Sequence, residues 1–239
     1  MSVGLRALLL AGGLGTRLKP LTNTIPKCLV DIGGKPLLGR WLDTLENLGC
    51  ESVLINTHYL ANQVCEFLES SRTYNMEIQT THEETLLGTC GTLLKNRNFF
   101  RETSLLIHAD NATSDDLTEL VKMHKSKPSS CLLTMLTFAT NKPAQCGIVE
   151  LDENNVVIRF HEKVSSPPGN RANGAIYIFD EALFKALDGL HTPLKDFSTD
   201  ALPHLLGKIY TYHTTKLFLD IGTPSNLKKA RLLSQTFDK

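Results

Sequence analysis

The stretch ALLLAGGLGTRLKPLTNTIPKCLV, from Ala7 to Val30, joins a short apolar run to a glycine-rich turn. The apolar part, Leu8–Ala11, has the composition of a buried strand. Gly12, Gly13 and Gly15 allow the backbone to approach a ligand closely, and we expect Gly13 to require a positive φ. Loops of this kind turn several N–H groups toward one anion, so the stretch predicts a phosphate-binding loop after the first strand.

Two common phosphate-binding motifs do not fit this loop. A Walker A loop ends in Gly-Lys-Ser/Thr, and neither Gly12 nor Gly13 is followed by that ending at the required spacing. A dinucleotide-binding fingerprint that starts at Gly13 would need a third glycine where the chain has Leu18. Pro20 and Pro26 also interrupt the helix that should follow such a fingerprint. The loop therefore belongs to another class of phosphate site.

Length, charge and cysteine content limit the classes of protein to consider. The chain has 239 residues and a formal net charge of zero, which allows one domain with a large core and argues against a broad basic surface for nucleic acid. Six scattered cysteines without a C-x-x-C pair favour free thiols. No apolar run approaches the roughly 20 residues that cross a bilayer, and the first is too short for a secretory signal. We expect a soluble, cytoplasmic protein with no nucleic-acid or membrane partner, and homo-oligomerisation is left open.

Strand-like and helix-like segments alternate along the first half of the chain, which is typical of parallel βαβ units. The predicted strands are Leu8–Ala11, Ser52–Asn56, Ser104–His108 and Cys131–Thr137, and the predicted helices are Pro36–Leu48, Ala61–Glu69 and Asp115–Lys125. Together they predict an α/β fold, a doubly wound, mostly parallel, Rossmann-like sheet with helices on both faces.

The pattern changes after about residue 140. Two strands around an Asp152–Asn155 turn predict a hairpin, and residues 165–174 predict a loop before a strand at 175–179. A strand over residues 216–222 precedes a last helix that begins at Thr223-Pro224. We therefore expect a single domain over residues 1–239, with a small antiparallel insertion at about 140–175.

Charged residues follow several predicted strands, at the end of the sheet where open α/β folds bind ligands. Asp110 and Asp220 each lie at such a strand end, and two carboxylates there are suited to one hard divalent cation such as Mg²⁺. Singly, each aspartate is more typical of a turn or a helix cap. Arg17 and Lys27 add cations that suit a polyphosphate, although most lysines lie in solvent.

The ordered motifs give the sequence a family resemblance. LAGGLGTRLKPLTNTIPKCLVDIGGKPLL resembles the signature of the sugar-1-phosphate nucleotidyltransferases, and LLGTCGTL, HADN, FHEK, NGAIYIF and FLDIGTP follow in the family's order. The resemblance runs from about Arg6 to about Arg231. The chain departs from it at Cys28, where the family has a second proline, and at Ala109, where a glycine is common.

The resemblance implies a role for each matching position. The implied nucleotide-binding residues are Leu10, Ala11, Gly12, Gly13, Gly15, Thr16, Arg17, Lys27, Gly88 and Thr89. The implied Mg²⁺ ligands are Asp110 and Asp220, and the implied catalytic residues are Arg17, Lys27 and Asp110. The implied sugar-phosphate contacts are Glu162, Lys163, Asn173 and Gly174. Taken alone, Glu162 and Lys163 would be an ordinary surface ion pair.

The reaction that the resemblance implies is the conversion of a sugar 1-phosphate and a nucleoside triphosphate into a nucleoside diphosphate sugar and pyrophosphate. The LGT-x-G form in LLGTCGTL is similar to that of mannose and heptose 1-phosphate guanylyltransferases, which favours GTP over UTP, dTTP or CTP. The sugar is not predicted. The alternative is a catalytically silent relative that binds nucleotide sugars and regulates a partner, but such a protein would tend to lose the aspartates or the loop cation.

Overall fold

The computed structural model describes residues 4–101 and 103–238, except for the side chain of Asp238; the other residues of the predicted domain lie outside this description. The strands are β1 (Leu5–Leu10), β2 (Cys50–Thr57), β3 (Glu77–His82), β4 (Thr103–His108), β5 (Asn111–Thr113), β6 (Leu133–Ala139), β7 (Gly147–Leu151), β8 (Val157–Glu162), β9 (Arg171–Asp180), β10 (Ile209–His213) and β11 (Phe218–Asp220). The α-helices are α1 (Leu37–Asn47), α2 (Ala61–Ser70), α3 (Gly88–Lys95), α4 (Thr118–Lys125), α5 (Ala182–Asp188) and α6 (Pro224–Leu232).

The chain divides into two compact units. The first, which we call the loop unit, comprises residues 4–86, 107–116 and the described residues from 216 onward. The second, the hairpin unit, comprises residues 87–106 and 117–215.

The loop unit contains the predicted βαβ arrangement. β1 pairs with β2, and β2 pairs with β3, all in parallel. β1 and β2 are rich in apolar residues because parallel strands of this kind are covered on both faces, and Leu8, Leu9 and Ile55 expose no surface. The α/β fold class is confirmed. Among the described residues, no helix is long and apolar enough to cross a membrane.

Helix α1 shows why the periodicity of the sequence predicted its position. Its buried residues recur at helical spacing and are Leu37, Leu38, Gly39, Trp41, Leu42 and Leu45. The helix ends just before Gly49, whose φ is 82° and whose N–H donates to Glu46 O at 3.0 Å. Glycine is favoured at this position because it adopts a left-handed conformation without a steric cost.

The hairpin unit contains the predicted antiparallel part of the chain. β6 pairs in parallel with β10 and antiparallel with β9. β7 and β8 form a hairpin whose turn is held by Asp152, because its Oδ1 accepts the N–H groups of Asn154 and Val156, each at 2.9 Å. β7 also pairs with β9.

Several predicted boundaries are wrong. α4 begins at Thr118 rather than Asp115, because Leu117 has a φ of 63° that interrupts a helix. Residues 171–174 belong to β9 rather than to a loop, because residues 171–173 pair with β6. β1 begins and ends earlier than predicted, β6 begins two residues later, and β11 is shorter at both ends. The sequence interpretation also missed β3, β5, α3, α5 and β10.

Candidate functional site

The first two N–H groups of the glycine loop, directly after β1, already have an acceptor. Asn56, at the end of β2, accepts from the N–H of Ala11 at 2.7 Å and of Gly12 at 3.2 Å through its Oδ1. Within the described residues, the N–H groups of residues 13–16 donate to no protein acceptor. The N–H groups that remain available to a ligand are therefore those of residues 13–16, which follow directly on the predicted Leu10, Ala11 and Gly12.

The protein packs closely against two of the three loop glycines and leaves the third open. A Cβ at Gly12 would lie 2.9 Å from Asn56 Nδ2, and one at Gly15 would lie 2.9 Å from Thr22 Cγ2. Gly15 has a φ of 62°, whereas Gly13 is not among the residues with positive φ, so the expectation for Gly13 is wrong. A Cβ at Gly13 would lie within 4 Å of no atom in the described part of the chain. Gly13 and the exposed Thr16 thus face open space, where a ligand has room to bind.

Lys27 is buried among carboxylates instead of lying in solvent. Only 8% of its surface is exposed, and its Nζ lies 2.5 Å from Asp110 Oδ2 and 3.7 Å from Asp220 Oδ1. Arg17 lies at the outer side of this cluster, with Nη2 3.8 Å from Asp220 Oδ2. The loop unit therefore brings together both predicted catalytic cations and both predicted metal ligands.

A two-stranded ribbon brings the two aspartates together although 110 positions separate them. β11 pairs antiparallel with β5, which places Asp220 opposite Asn111. The N–H of Ile221 donates to the carbonyl of Asp110 at 2.9 Å. Gly222 leaves room for the charged groups, because a Cβ there would lie 2.5 Å from Arg17 Nη2.

The two carboxyl groups differ in their electrostatic surroundings. Burial alone would raise the pKa of Asp110, but the Lys27 ammonium and His108 hold that pKa below its usual value. Burial and the charge of Asp110 raise the pKa of Asp220, and Lys27 and Arg17 offset only part of this effect. Two carboxylates this close require a compensating cation, which Lys27 provides.

The donor set fits a hard divalent cation that also contacts a substrate. Oδ1 of Asp220 is buried and, within the described residues, accepts no hydrogen bond. The described residues contain no group of three or more histidine, cysteine, aspartate or glutamate side chains suited to a metal. One or two carboxylates plus substrate phosphates is the usual way in which proteins hold Mg²⁺. Asp110 and Asp220 match that pattern.

In the hairpin unit, Glu162 and Lys163 close β8. Lys163 Nζ lies 2.8 Å from Glu162 Oε1, and the lysine side chain is 66% exposed. Lys163 has a φ of 49°, an uncommon conformation for a residue with a side chain. Gly147 lies opposite Glu162 in the hairpin, and a Cβ there would lie 2.6 Å from Glu162 Oε2. The Phe160 ring is closer still, with Cζ 2.5 Å from such a Cβ, so both side chains pack directly against the glycine.

Asn173 lies at an irregularity in β9. The register against β6 shifts there, since Met135 pairs with Tyr177 but Thr137 pairs with Asn173. The buried Gly174 lies within this bulge, and Ala175 has a φ of 53°. Asn173 accepts the N–H of Ala175 at 2.9 Å and donates to the Tyr177 hydroxyl at 2.7 Å. Bulges of this kind re-aim side chains, and here the amide of Asn173 is held in one orientation.

Tyr177 keeps its proton in this environment. Burial, with the charges of Asp196 and Glu162, raises the pKa of Tyr177 well above its usual value. Tyr177 is fully buried, so its hydroxyl positions the amide of Asn173 and is not itself accessible to a ligand. The contact of Glu162, Lys163 and Asn173 with a sugar phosphate stays a prediction.

Gly88 and Thr89 begin α3 and contact the segment 195–197. Gly88 has a φ of 79°, and a Cβ there would lie 2.4 Å from Lys195 O. The Thr89 hydroxyl accepts the Phe197 N–H at 2.7 Å and donates to Asp196 Oδ2 at 3.3 Å. The N–H of Cys90 donates to Lys195 O at 2.9 Å. Both predicted nucleotide-binding residues therefore have a structural task within the hairpin unit, and their contact with a nucleotide stays a prediction.

Four residues with a part in these arrangements were missed in the sequence. They are Asn56 and Glu83 in the loop unit and Tyr177 and Asp196 in the hairpin unit. Asn56 carried a usable signal, because it is a polar residue at the carboxyl end of an apolar strand. Glu83 follows a strand that was not predicted, so its position had no such signal.

Comparisons with known proteins find relatives that match nearly the whole of this chain. The mannose-1-phosphate guanylyltransferase catalytic subunit beta of Drosophila melanogaster is 30% identical over 229 residues, which make up 93% of this chain and 61% of that protein. The chain thus spans about three fifths of that relative's length. HddC from Yersinia pseudotuberculosis, solved in complex with GMP-PN, is 25% identical with a TM-score of 0.79, and the match covers 95% of this chain and 98% of that chain.

A further solved structure supports the fold alone. A Bacillus anthracis protein, assigned as a glucose-1-phosphate thymidylyltransferase and solved in complex with a sucrose, has a TM-score of 0.87 at 21% identity. The match covers 98% of this chain and 99% of that chain.

The family model described as Nucleotidyl transferase matches residues 6–236, nearly the whole sequence. The chain therefore belongs to the nucleotidyl transferase family.

Proposed function

We propose that the chain, acting as a single nucleotidyltransferase domain, transfers the nucleotidyl group of GTP to a sugar 1-phosphate. The observation that carries this proposal is the cluster of Lys27, Asp110 and Asp220 beside a loop whose N–H groups at 13–16 have no acceptor among the described residues. Arg17 links the two, because it belongs to the loop and its guanidinium approaches Asp220. Such a set offers backbone dipoles, fixed cations and a cation site to one polyphosphate.

The loop unit is proposed to hold the nucleoside triphosphate. The N–H groups of residues 13–16 donate to phosphate oxygens, and Arg17, which is largely exposed, neutralises the pyrophosphate that leaves. Lys27 gives up its carboxylate contacts for a phosphate oxygen nearer the reacting phosphorus. A divalent cation held by Asp110 and Asp220, which we propose to be Mg²⁺, would stabilise negative charge on the phosphates.

The hairpin unit is proposed to hold the sugar 1-phosphate. Glu162 and Asn173 bind sugar hydroxyls, and the backbone of Gly174 lies beside the sugar. Lys163 pairs with the phosphate. An oxygen of the sugar phosphate forms a bond to the α-phosphorus of the triphosphate, and the bond from that phosphorus to the bridging oxygen breaks to release pyrophosphate. The attacking oxygen is already an anion near neutral pH, so positioning and charge neutralisation supply the catalysis and no general base is needed.

The names of the relatives support GTP and a mannose-like sugar. The fly protein is a mannose-1-phosphate guanylyltransferase subunit, and HddC was solved in complex with GMP-PN. The LGT-x-G motif around Gly88 favours the same base. A cytoplasmic location stays a prediction from the sequence.

A pyrophosphate-release assay tests this function. The purified chain is incubated with Mg²⁺, each of GTP, UTP, dTTP and CTP, and a panel of sugar 1-phosphates that includes mannose 1-phosphate. We expect the fastest release with GTP and a release that depends on the sugar phosphate. Release that is equal with and without sugar phosphate, or no release from any pair, would contradict the proposal.

A further inference from the structure

The ends of three neighbouring parallel strands are tied together behind the glycine loop. Asn56 ends β2 and Glu83 directly follows β3, while Ala11 and Gly12 directly follow β1. Asn56 is 4% exposed and Glu83 is 1% exposed, so water competes little for their hydrogen bonds. The contact runs from Glu83 Oε1 to Asn56 Nδ2 at 3.2 Å, and from Asn56 Oδ1 to the two N–H groups of the loop.

The chemistry of the partners fixes the orientation of the Asn56 amide. Oε1 of Glu83 accepts a hydrogen bond from the NH₂ group of Asn56, which directs that group toward Glu83. The carbonyl oxygen of Asn56 must then face the N–H groups of Ala11 and Gly12. A flipped amide would place a donor against two donors and an acceptor against a carboxylate. Glu83 and the two loop N–H groups therefore select the same orientation of the Asn56 amide, and Glu83 holds its other end in place.

We propose that Asn56, oriented by Glu83, is a positioning residue for the nucleotide-binding loop. By holding the N–H groups of Ala11 and Gly12, it fixes the direction in which the chain leaves β1 and thereby aims the N–H groups of residues 13–16 at the phosphates. The close approach of Asn56 Nδ2 also explains why position 12 is a glycine. This inference rests on the proposed function, because it assumes that the loop binds a nucleoside triphosphate.

A charge-conserving swap tests the pair. Asn56→Asp alone places two carboxylates in contact and should weaken GTP binding about tenfold or more, measured by calorimetry in EDTA. Asn56→Asp combined with Glu83→Gln keeps the total charge and restores one donor facing one acceptor, so its GTP affinity should return to within about threefold of the wild-type value. Glu83→Gln keeps an acceptor for the Asn56 amide and should bind GTP with nearly wild-type affinity. Glu83→Leu removes that acceptor and should bind GTP more weakly.

A steady-state measurement separates positioning from a general loss of fold. The apparent Michaelis constant for GTP should rise in Asn56→Asp and recover in the swap, while that for the sugar 1-phosphate should change little in either. A swap as weak as Asn56→Asp, or an Asn56→Asp variant with wild-type GTP affinity, would overturn the positioning role. If Asn56→Asp does not fold, recovery of both folding and GTP affinity in the swap supports the pair. Failure of the wild-type protein to bind any nucleoside triphosphate would instead overturn the proposed function together with this inference.

Discussion

Lys27 occupies the space between two carboxylates that a divalent cation would also have to contact. Its Nζ lies 2.5 Å from Asp110 Oδ2 and 3.7 Å from Asp220 Oδ1. The ammonium and a bridging metal exclude each other there, because like charges at such distances repel strongly. We therefore predict that Lys27→Met, which keeps the apolar stem and removes the charge, strengthens metal binding to the nucleotide-free protein. The same change should weaken nucleotide binding, because a phosphate partner is lost.

The size of both effects follows from the contacts. A hydrogen bond to a charged group contributes roughly 1.5–3 kcal/mol. The side chain of Lys27 is 10% exposed, but those of Asp110 and Asp220 are 35% and 46% exposed, so solvent screening favours the lower end of the range. Since about 1.4 kcal/mol is a factor of ten, the dissociation constant for Mn²⁺ should fall about tenfold and that for GTP in EDTA should rise about tenfold.

Two calorimetric titrations at pH 8 measure these constants, one with Mn²⁺ alone and one with GTP in EDTA. This pH lies far above the usual carboxyl range and so allows for the raised pKa of Asp220, which burial and the charge of Asp110 cause, because a metal binds the ionised carboxylate. Arg17→Met is the matched control. It also removes one cation near Asp220, but its side chain is 64% exposed and 3.8 Å away, so its effect on Mn²⁺ should be smaller. An unchanged or weaker Mn²⁺ affinity in Lys27→Met would refute the competition.

Three further predictions concern the hairpin unit and the separate binding roles proposed for Lys163 and Arg17. Ala175→Gly should raise the free energy of unfolding by roughly 1 kcal/mol in urea titrations, because a φ of 53° is strained for alanine; an unchanged value would mean that the bulge absorbs the strain. Burial lowers the pKa of His124 in the folded state below 6.5, despite the hydrogen bond to Asp180. The unfolded chain therefore binds more protons at this residue, and the free energy of unfolding should fall as the pH drops below about 6.5. His124→Gln should flatten that slope between pH 7.5 and 5.5, and an equally steep slope would assign the effect to other groups. Lys163→Ala should raise the Michaelis constant for the sugar 1-phosphate by one to two decades and leave the GTP dissociation constant nearly unchanged. Arg17→Ala should raise the GTP dissociation constant by a similar factor and leave the Michaelis constant for the sugar 1-phosphate nearly unchanged. Similar effects of both variants on GTP binding would contradict the assignment of Lys163 to the sugar phosphate and Arg17 to the nucleotide.

The sequence predicts well those features that depend on local composition. β1 and β2 are apolar because they are covered on both faces, and the periodicity of α1 and the turn around Asp152 are equally local. β3 was missed because its six residues, EIQTTH, are mostly polar and none is buried. A strand that exposes so much surface carries no apolar pattern to detect.

The candidate site shows the same limit at the level of single contacts. The motifs predicted that Lys27, Asp110 and Asp220 belong to one site. The burial of the Lys27 ammonium between the two carboxylates depends on the pairing of β5 with β11. The contact between Asn56 and Glu83 depends on the register of β2 against β3, which pairs Thr57 with His82. Neighbouring residues in sequence do not encode such pairings.

Product analysis by ³¹P NMR most directly tests the claim that the chain transfers a nucleotidyl group to a sugar phosphate. The best nucleotide and sugar pair from the pyrophosphate assay is incubated with Mg²⁺ and either the wild-type protein or Asp220→Asn, which is nearly isosteric. We predict a nucleoside diphosphate sugar and pyrophosphate in equal amounts from the wild-type protein, and a rate at least about a hundredfold lower from Asp220→Asn. Nucleoside diphosphate with inorganic phosphate, nucleoside monophosphate without the sugar product, or an Asp220→Asn variant as fast as the wild-type protein would contradict that claim.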